Sequence, residues 1–206
     1  SNSSGTAINF GTLTAINFSS GVATVSSGSN GALQLLQVET TTVAVTDTVN
    51  SIGTGNSGVL TVTVSPGSAS KLVIGGSATQ TAGITQTLII TAQDSLGNTA
   101  TGYSGSRSLT FSGASTSTNG VQPTVTNSSG IPVNFGSTTT ITFSNGVAST
   151  SGGSANGAMT LVRAESATIS VADSNGNSSN PDGNLAVTGT VGGDAQQRNA
   201  GHARSN

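Results

Sequence analysis

Few side chains in this sequence can do chemistry, and their spacing argues against catalysis. His202 is the only histidine and lies in a polar tail, and cysteine is absent. A Ser-His-Asp or Cys-His arrangement therefore lacks a base in the patterned part of the chain. The seven carboxylates are spread thinly over 206 residues. Glu39 recurs as Glu165 and Asp47 as Asp173 in an internal repeat. Recurrence of this kind points to carboxylates that bond turn amides rather than to an acid–base pair. The sequence predicts no enzyme, no catalytic residue and no cofactor.

One run carries oxygen ligands at alternate positions. Asp173-Ser174-Asn175-Gly176-Asn177, with Asp182 downstream, has the start of a calcium loop. It lacks a distal bidentate Glu, and the stretch after Asp47 has no matching Asn pair. Asp173, Asn175, Asn177 and Asp182 are thus the weak metal candidates, and the adopted expectation is a solvated loop with no metal. Asp94, ahead of Gly97-Asn98, is expected to cap its own turn. Lys71, the only lysine, and Glu165 invite the idea of an isopeptide crosslink. The plainer reading is an edge lysine that blocks wrong strand pairing. Asn2, Asn17, Asn127 and Asn177 each open an Asn-X-Ser sequon, and Asn127 and Asn177 fall in loops. The threonine rows Thr40–Thr42 and Thr138–Thr140 read as exposed strand positions rather than a binding surface.

Composition narrows the function classes further. Charged residues are 6% of the chain and the net charge is −2. No basic stripe exists to release counterions, so nucleic acid is not a partner. No apolar run is long enough for a membrane-spanning helix, so no membrane insertion is expected. The start, Ser1-Asn2-Ser3-Ser4, has neither a charged nor an apolar leader segment. A secreted protein would have lost its signal peptide already. Absence of cysteine excludes disulfides and thiolate metal sites and is compatible with the cell exterior.

The elements that must position these residues are strands. Period-two alternation of Val, Ile, Leu and Thr marks Leu13–Phe18, Val22–Val25, Val43–Val45, Val59–Val64, Leu72–Ile74, Leu88–Ala92, Leu109–Phe111, Val133–Phe135, Thr139–Phe143, Met159–Val162, Ile169–Val171 and Leu185–Val191. Gly, Asn and Ser clusters bound these runs, and no helical period is sustained. The chain is read as all-β. Asn145-Gly146 suits a type I′ hairpin, where both central residues need positive φ.

A block of sequence also returns about 125 residues later, at a period of domain size. Asn9-Phe10-Gly11 returns as Asn134-Phe135-Gly136, Gly21-Val22-Ala23 as Gly146-Val147-Ala148, and Asn30-Gly31-Ala32 as Asn156-Gly157-Ala158. Val43-Ala44-Val45-Thr46-Asp47 returns as Ile169-Ser170-Val171-Ala172-Asp173. Ser65-Pro66-Gly67 separates the copies, because Pro ends a strand there. Residues 1–65 form a partial unit, 66–191 a complete one of about seven to nine strands, and 192–206 a polar tail. The partial unit lacks counterparts of Lys71–Ile74, Thr87–Ala92 and Ser108–Ser112.

The stretch Ser65-Pro66-Gly67-Ser68-Ala69-Ser70-Lys71-Leu72-Val73-Ile74, followed by Thr81-Ala82-Gly83 and then Ile90 to Gly105, resembles bacterial immunoglobulin-like repeat domains of large secreted or surface proteins, such as invasin-like adhesins and fibre repeats. The resemblance covers 66–191 and, as a partial copy, 9–64. It implies an antiparallel immunoglobulin-like β-sandwich, one complete unit plus a partial N-terminal unit, in an extracellular, cell-surface setting. The expected function is a non-enzymatic structural subunit of a surface filament, joined head to tail to other copies by strand pairing. The alternative is an adhesive or ligand-binding module of a larger surface protein, its partner a host or cell-surface ligand.

Overall fold

Strands rich in Val, Ile, Leu and Thr, cut by Gly and Asn, leave the backbone one way to satisfy its hydrogen bonds, which is pairing in sheets. The computed structural model describes residues 1–55, 58–149 and 156–192. It is all-β, with several antiparallel sheets consistent with a β-sandwich, and has no helix among the described residues. The chain divides into two units, Ser1–Val64 and Ser65–Asn206.

The first unit holds β1 (Thr40–Val43), β2 (Thr46–Asp47), β3 (Ile52–Gly53) and β4 (Leu60–Thr63). β1 pairs with β4, and β2 with β3, both antiparallel. The second unit begins with β5 (Lys71–Gly75), β6 (Thr79–Thr81), β7 (Thr85–Thr87), β8 (Ile89–Gln93) and β9 (Gly105–Ser112). It continues with β10 (Thr124–Thr126), β11 (Pro132–Asn134), β12 (Thr138–Phe143), β13 (Val147–Ser149), β14 (Ala158–Thr160), β15 (Ser166–Asp173) and β16 (Leu185–Thr190). Three sheets result, in the orders β12-β9-β15-β16-β6, β13-β8-β5 and β11-β10-β14-β7.

One hydrophobic cluster joins these sheets. Leu72 and Ile74 of β5, Ile90 of β8, Leu109 and Phe111 of β9, Ile141 and Phe143 of β12, Ile169 and Val171 of β15, and Val187 of β16 are all buried in it. Alternation along each strand puts these side chains on one face, as the sequence predicts. Of the positions expected inward, Phe135 and Leu185 are only partly buried. Val125 and Met159 are buried without being expected. Val125 sits on a three-residue strand outside the alternating runs, while Met159 opens the run Met159–Val162 and shares a face with Leu161. The second unit has more strands than predicted, because short strands such as β6, β10 and β13 lie outside the alternating runs. The strand pairs of the second unit are antiparallel as expected, except that β6 runs parallel to β16.

The first unit differs in kind. None of its described residues is buried. The strands expected at Leu13–Phe18 and Val22–Val25 do not form, apart from an isolated bridge between Ser19 and Val22. A strand exists only when a neighbour takes its ladder bonds. The C-terminal tail assigned to 192–206 lies, from 193 on, outside the described residues.

Candidate functional site

Carboxylates placed just before a Gly-Asn pair fold their own loop. Asp94 Oδ1 accepts the N–H groups of Leu96 and Asn98, both at 2.9 Å. Its Oδ2 accepts the Gly67 N–H at 2.9 Å and the Asn98 Nδ2 at 3.1 Å. Gly97, with φ of 89°, supplies the left-handed turn that a side chain would resist. The Gly67 amide is the largest influence on this carboxyl. Burial opposes it, the Asn98 bonds add to it, and the pKa falls to about 2.

Asp173 repeats the arrangement. Its Oδ1 accepts the amides of Asn175 at 2.8 Å and Asn177 at 2.9 Å. Its Oδ2 accepts the Asn177 Nδ2 at 2.8 Å and the Tyr103 hydroxyl at 2.7 Å. Burial pushes the Asp173 pKa up, but the bonds from Asn177, Tyr103 and Asn175 outweigh it, and the net shift is downward. Burial foremost, then the bond to Asp173, raises the Tyr103 pKa. Arg107 lies 4.4 Å over the Tyr103 ring, and its buried Nε has no hydrogen-bond partner. A shallow cleft of about 360 Å³ opens beside Gly67, Tyr103, Arg107, Asn175 and Asn177. The sequence reading missed this Tyr103–Arg107–Asp173 cluster. The signal available was that Tyr103, the only tyrosine, stands four residues from Arg107 in a chain with few charges.

Of the weak metal candidates, Asp173 and Asn177 are bonded to each other and Asn175 donates its amide, so the Asp173 oxygens already serve as a cap. Asp182 is exposed in the following loop. Among the described residues no three His, Cys, Asp or Glu side chains gather as a metal set. Lys71 and Glu165 are not brought together. Leu72 bonds Ser178, which bridges Ala172 at one end of β15, while Glu165 precedes the other end. Glu165 accepts the Ser115 N–H at 2.7 Å and pairs with Arg163 at 3.8 Å. The Nδ2 of Asn177, the atom that glycosylation would modify, donates to Asp173.

The structure does bring together the residues of the repeat. In β1 and β4, Thr41 faces Val62 and Val43 faces Leu60; in β15 and β16, the equivalent Ala167 faces Val187 and Ile169 faces Leu185. The register is the same in both units. The Thr54 N–H donates to Val45 O at 3.0 Å, and the Ser179 N–H to Val171 O at 2.9 Å. The tight turn recurs, with Ser20 and Gly21 at φ 50° and 79° and Asn145 and Gly146 at 49° and 83°. Both fit the type I′ pattern expected for Asn145-Gly146. A side-chain clamp recurs as well. Asn30 Oδ1 accepts the Asn17 N–H at 2.7 Å while its Nδ2 donates to Asn17 O at 2.9 Å. Asn156 does the same to Thr142, at 3.0 and 2.9 Å. The sequence reading aligned these asparagines without assigning them a role.

Equivalent backbone, however, carries opposite burial. Phe143 is 2% exposed and its counterpart Phe18 is 68% exposed; Val171 is 1% exposed and Val45 is 65% exposed. Met159 is buried, and Leu33 is exposed. In the second unit β5, β8 and β9 contribute to the core that buries these positions, and the first unit has no counterpart of those strands among its described residues. The uncovered apolar side chains of the first unit are therefore the surface that most needs a function. Neither a family model nor a curated protein matches this chain.

Proposed function

We propose that this is a non-enzymatic structural protein of the cell exterior, an immunoglobulin-like fibre element joined to its neighbours by β-strand pairing at the first unit. The observation that carries the reading is the reversal of burial between Phe18 and Phe143 and between Val45 and Val171 on equivalent backbone. Exposed apolar side chains beside strands with open edges are costly to leave bare, and such edges pair readily with another strand. Head-to-tail contact with other copies of the chain is one form of such a junction. A heterologous contact of that kind propagates as an open filament unless its rotation closes. The test is electron microscopy of native material together with the same material after Val45→Lys. Fibres in the first and their loss in the second support the reading, and fibres unaffected by the substitution refute it.

A second reading, a module of a larger surface protein, is favoured by one count. The repeat has an early half, which supplies β5 to β9, and a late half, which supplies β12 to β16. This chain holds two late halves and one early half. Exchange of the early half between copies would cover one late half and uncover another. The missing early strands then come from a polypeptide outside these 206 residues, within the same fibre.

A further inference from the structure

We infer that the vacant position in the first unit is that of β9, and that it takes one extended strand with the apolar pattern of Leu109 and Phe111, supplied by a segment that is not already folded into a complete unit. The inference rests on the fibre reading above and names its partner. In the second unit β9 lies between β12 and β15, antiparallel to both. On the β15 side Phe111 faces Val171, Thr110 faces Ala172 and Leu109 faces Asp173. On the β12 side Leu109 faces Thr139, Arg107 faces Ile141 and Gly105 faces Phe143. The other flank of the β15 end is closed by Ser178 and Ser179. In the first unit the same flank is closed by Gly53 and Thr54.

Among the described residues of the first unit, no strand lies on the flank that β9 occupies in the second unit. The repeat transfers the register directly. A donor residue equivalent to Phe111 faces Val45, and one equivalent to Thr110 faces Thr46. The donor residue equivalent to Leu109 lies between Thr14 and Asp47. Gly105 finds its equivalent place opposite Phe18. The donor thus pairs with both Leu13–Phe18, which has no strand neighbour of its own, and the segment Val43–Asp47. Alternation then directs its two large apolar side chains to the same face as Ile16 and Val43. Both of those are half-buried where their counterparts Ile141 and Ile169 are fully buried. β9 of another copy is a poor donor, because Leu109 and Phe111 already lie in that copy's own core.

The test uses the full chain and a synthetic peptide spanning Ser104–Gly113, labelled at its N-terminus, with binding read by fluorescence anisotropy and hydrogen exchange. The expected result is saturable one-to-one binding, with slowed exchange at Leu13–Phe18 and Val43–Asp47 and none in the second unit. A peptide carrying Leu109→Ser and Phe111→Ser is expected not to bind, and Val45→Lys in the full chain is expected to abolish binding of the native peptide. Equal binding of both peptides, no binding, or protection confined to the second unit overturns the assignment while leaving fibre formation in place. Self-association of the chain alone, with those two segments protected, overturns the external donor but supports strand pairing in the fibre. A monomer whose first unit is already protected overturns both.

Discussion

Phe18 and Phe143 put the same side chain on equivalent backbone in two environments, so they separate sequence from packing. Phe143 meets Tyr103 edge-on at 4.8 Å and is buried. Phe143→Ala is expected to cost about 3 to 5 kcal/mol in chemical denaturation of the second unit. Phe18→Ala is expected to stay within about 0.5 kcal/mol in the isolated chain, as an exposed position does. The only tyrosine gives a second residue-scale readout. With its pKa raised above the ordinary value of 10.0, Tyr103 favours the protonated form in the fold. That contribution is complete below about pH 10 and is lost as pH rises through the folded pKa. Ultraviolet titration is therefore expected to show no phenolate around pH 10 until the second unit unfolds. The carboxylates have the opposite sign. Asp94 and Asp173 are depressed, so their contribution is present above the ordinary carboxylate range and fades as pH falls below 3.8, toward about 2 for Asp94.

At the scale of elements, strand pairing decided what the sequence could and could not show. Alternation read Leu72, Ile74, Leu109, Phe111, Ile141 and Phe143 correctly as inward, because each lies on a strand with neighbours that fix its face. The same alternation over Leu13–Phe18 gave no strand, since pattern alone cannot supply the missing ladder partner. Val125 stands on a three-residue strand with no period of its own, whereas Met159 opens an alternating run and lies two positions before the buried Leu161. Tyr103 and Asp173 meet across seventy positions of sequence, a separation that local spacing cannot reveal. The Asn-Gly-Ala echo was visible, yet its clamp on the facing strand depended on tertiary geometry. Asn156→Ala is expected to destabilise the second unit by about 1 to 3 kcal/mol, because it strips the Thr142 backbone of both bonds at a buried site. The carboxylate oxygens of Asp173 are already engaged within its loop and by Tyr103. A chelator is accordingly expected to leave the thermal unfolding midpoint unchanged, and a downward shift would reveal a metal there.

For the whole molecule, the two units share a sequence repeat and differ in burial. The second carries its own core, so deletion of residues 1–64 is expected to leave a soluble monomer with the same near-ultraviolet circular dichroism and unfolding midpoint as that unit in the full chain. The first carries the turn, the clamp and the strand register of a sandwich without the strands that would cover it. The most direct measurement is hydrogen exchange along the full chain, taken in the dilute monomer and again in native material, where the proposed fibre would form. Fast exchange is expected at Leu13–Phe18 and Val43–Asp47 in the monomer, slow exchange at Phe111, Ile141 and Val171 in both, and strong protection of the first two segments in the proposed fibre. Protection of those segments in the monomer equal to that of the second unit would contradict that expectation.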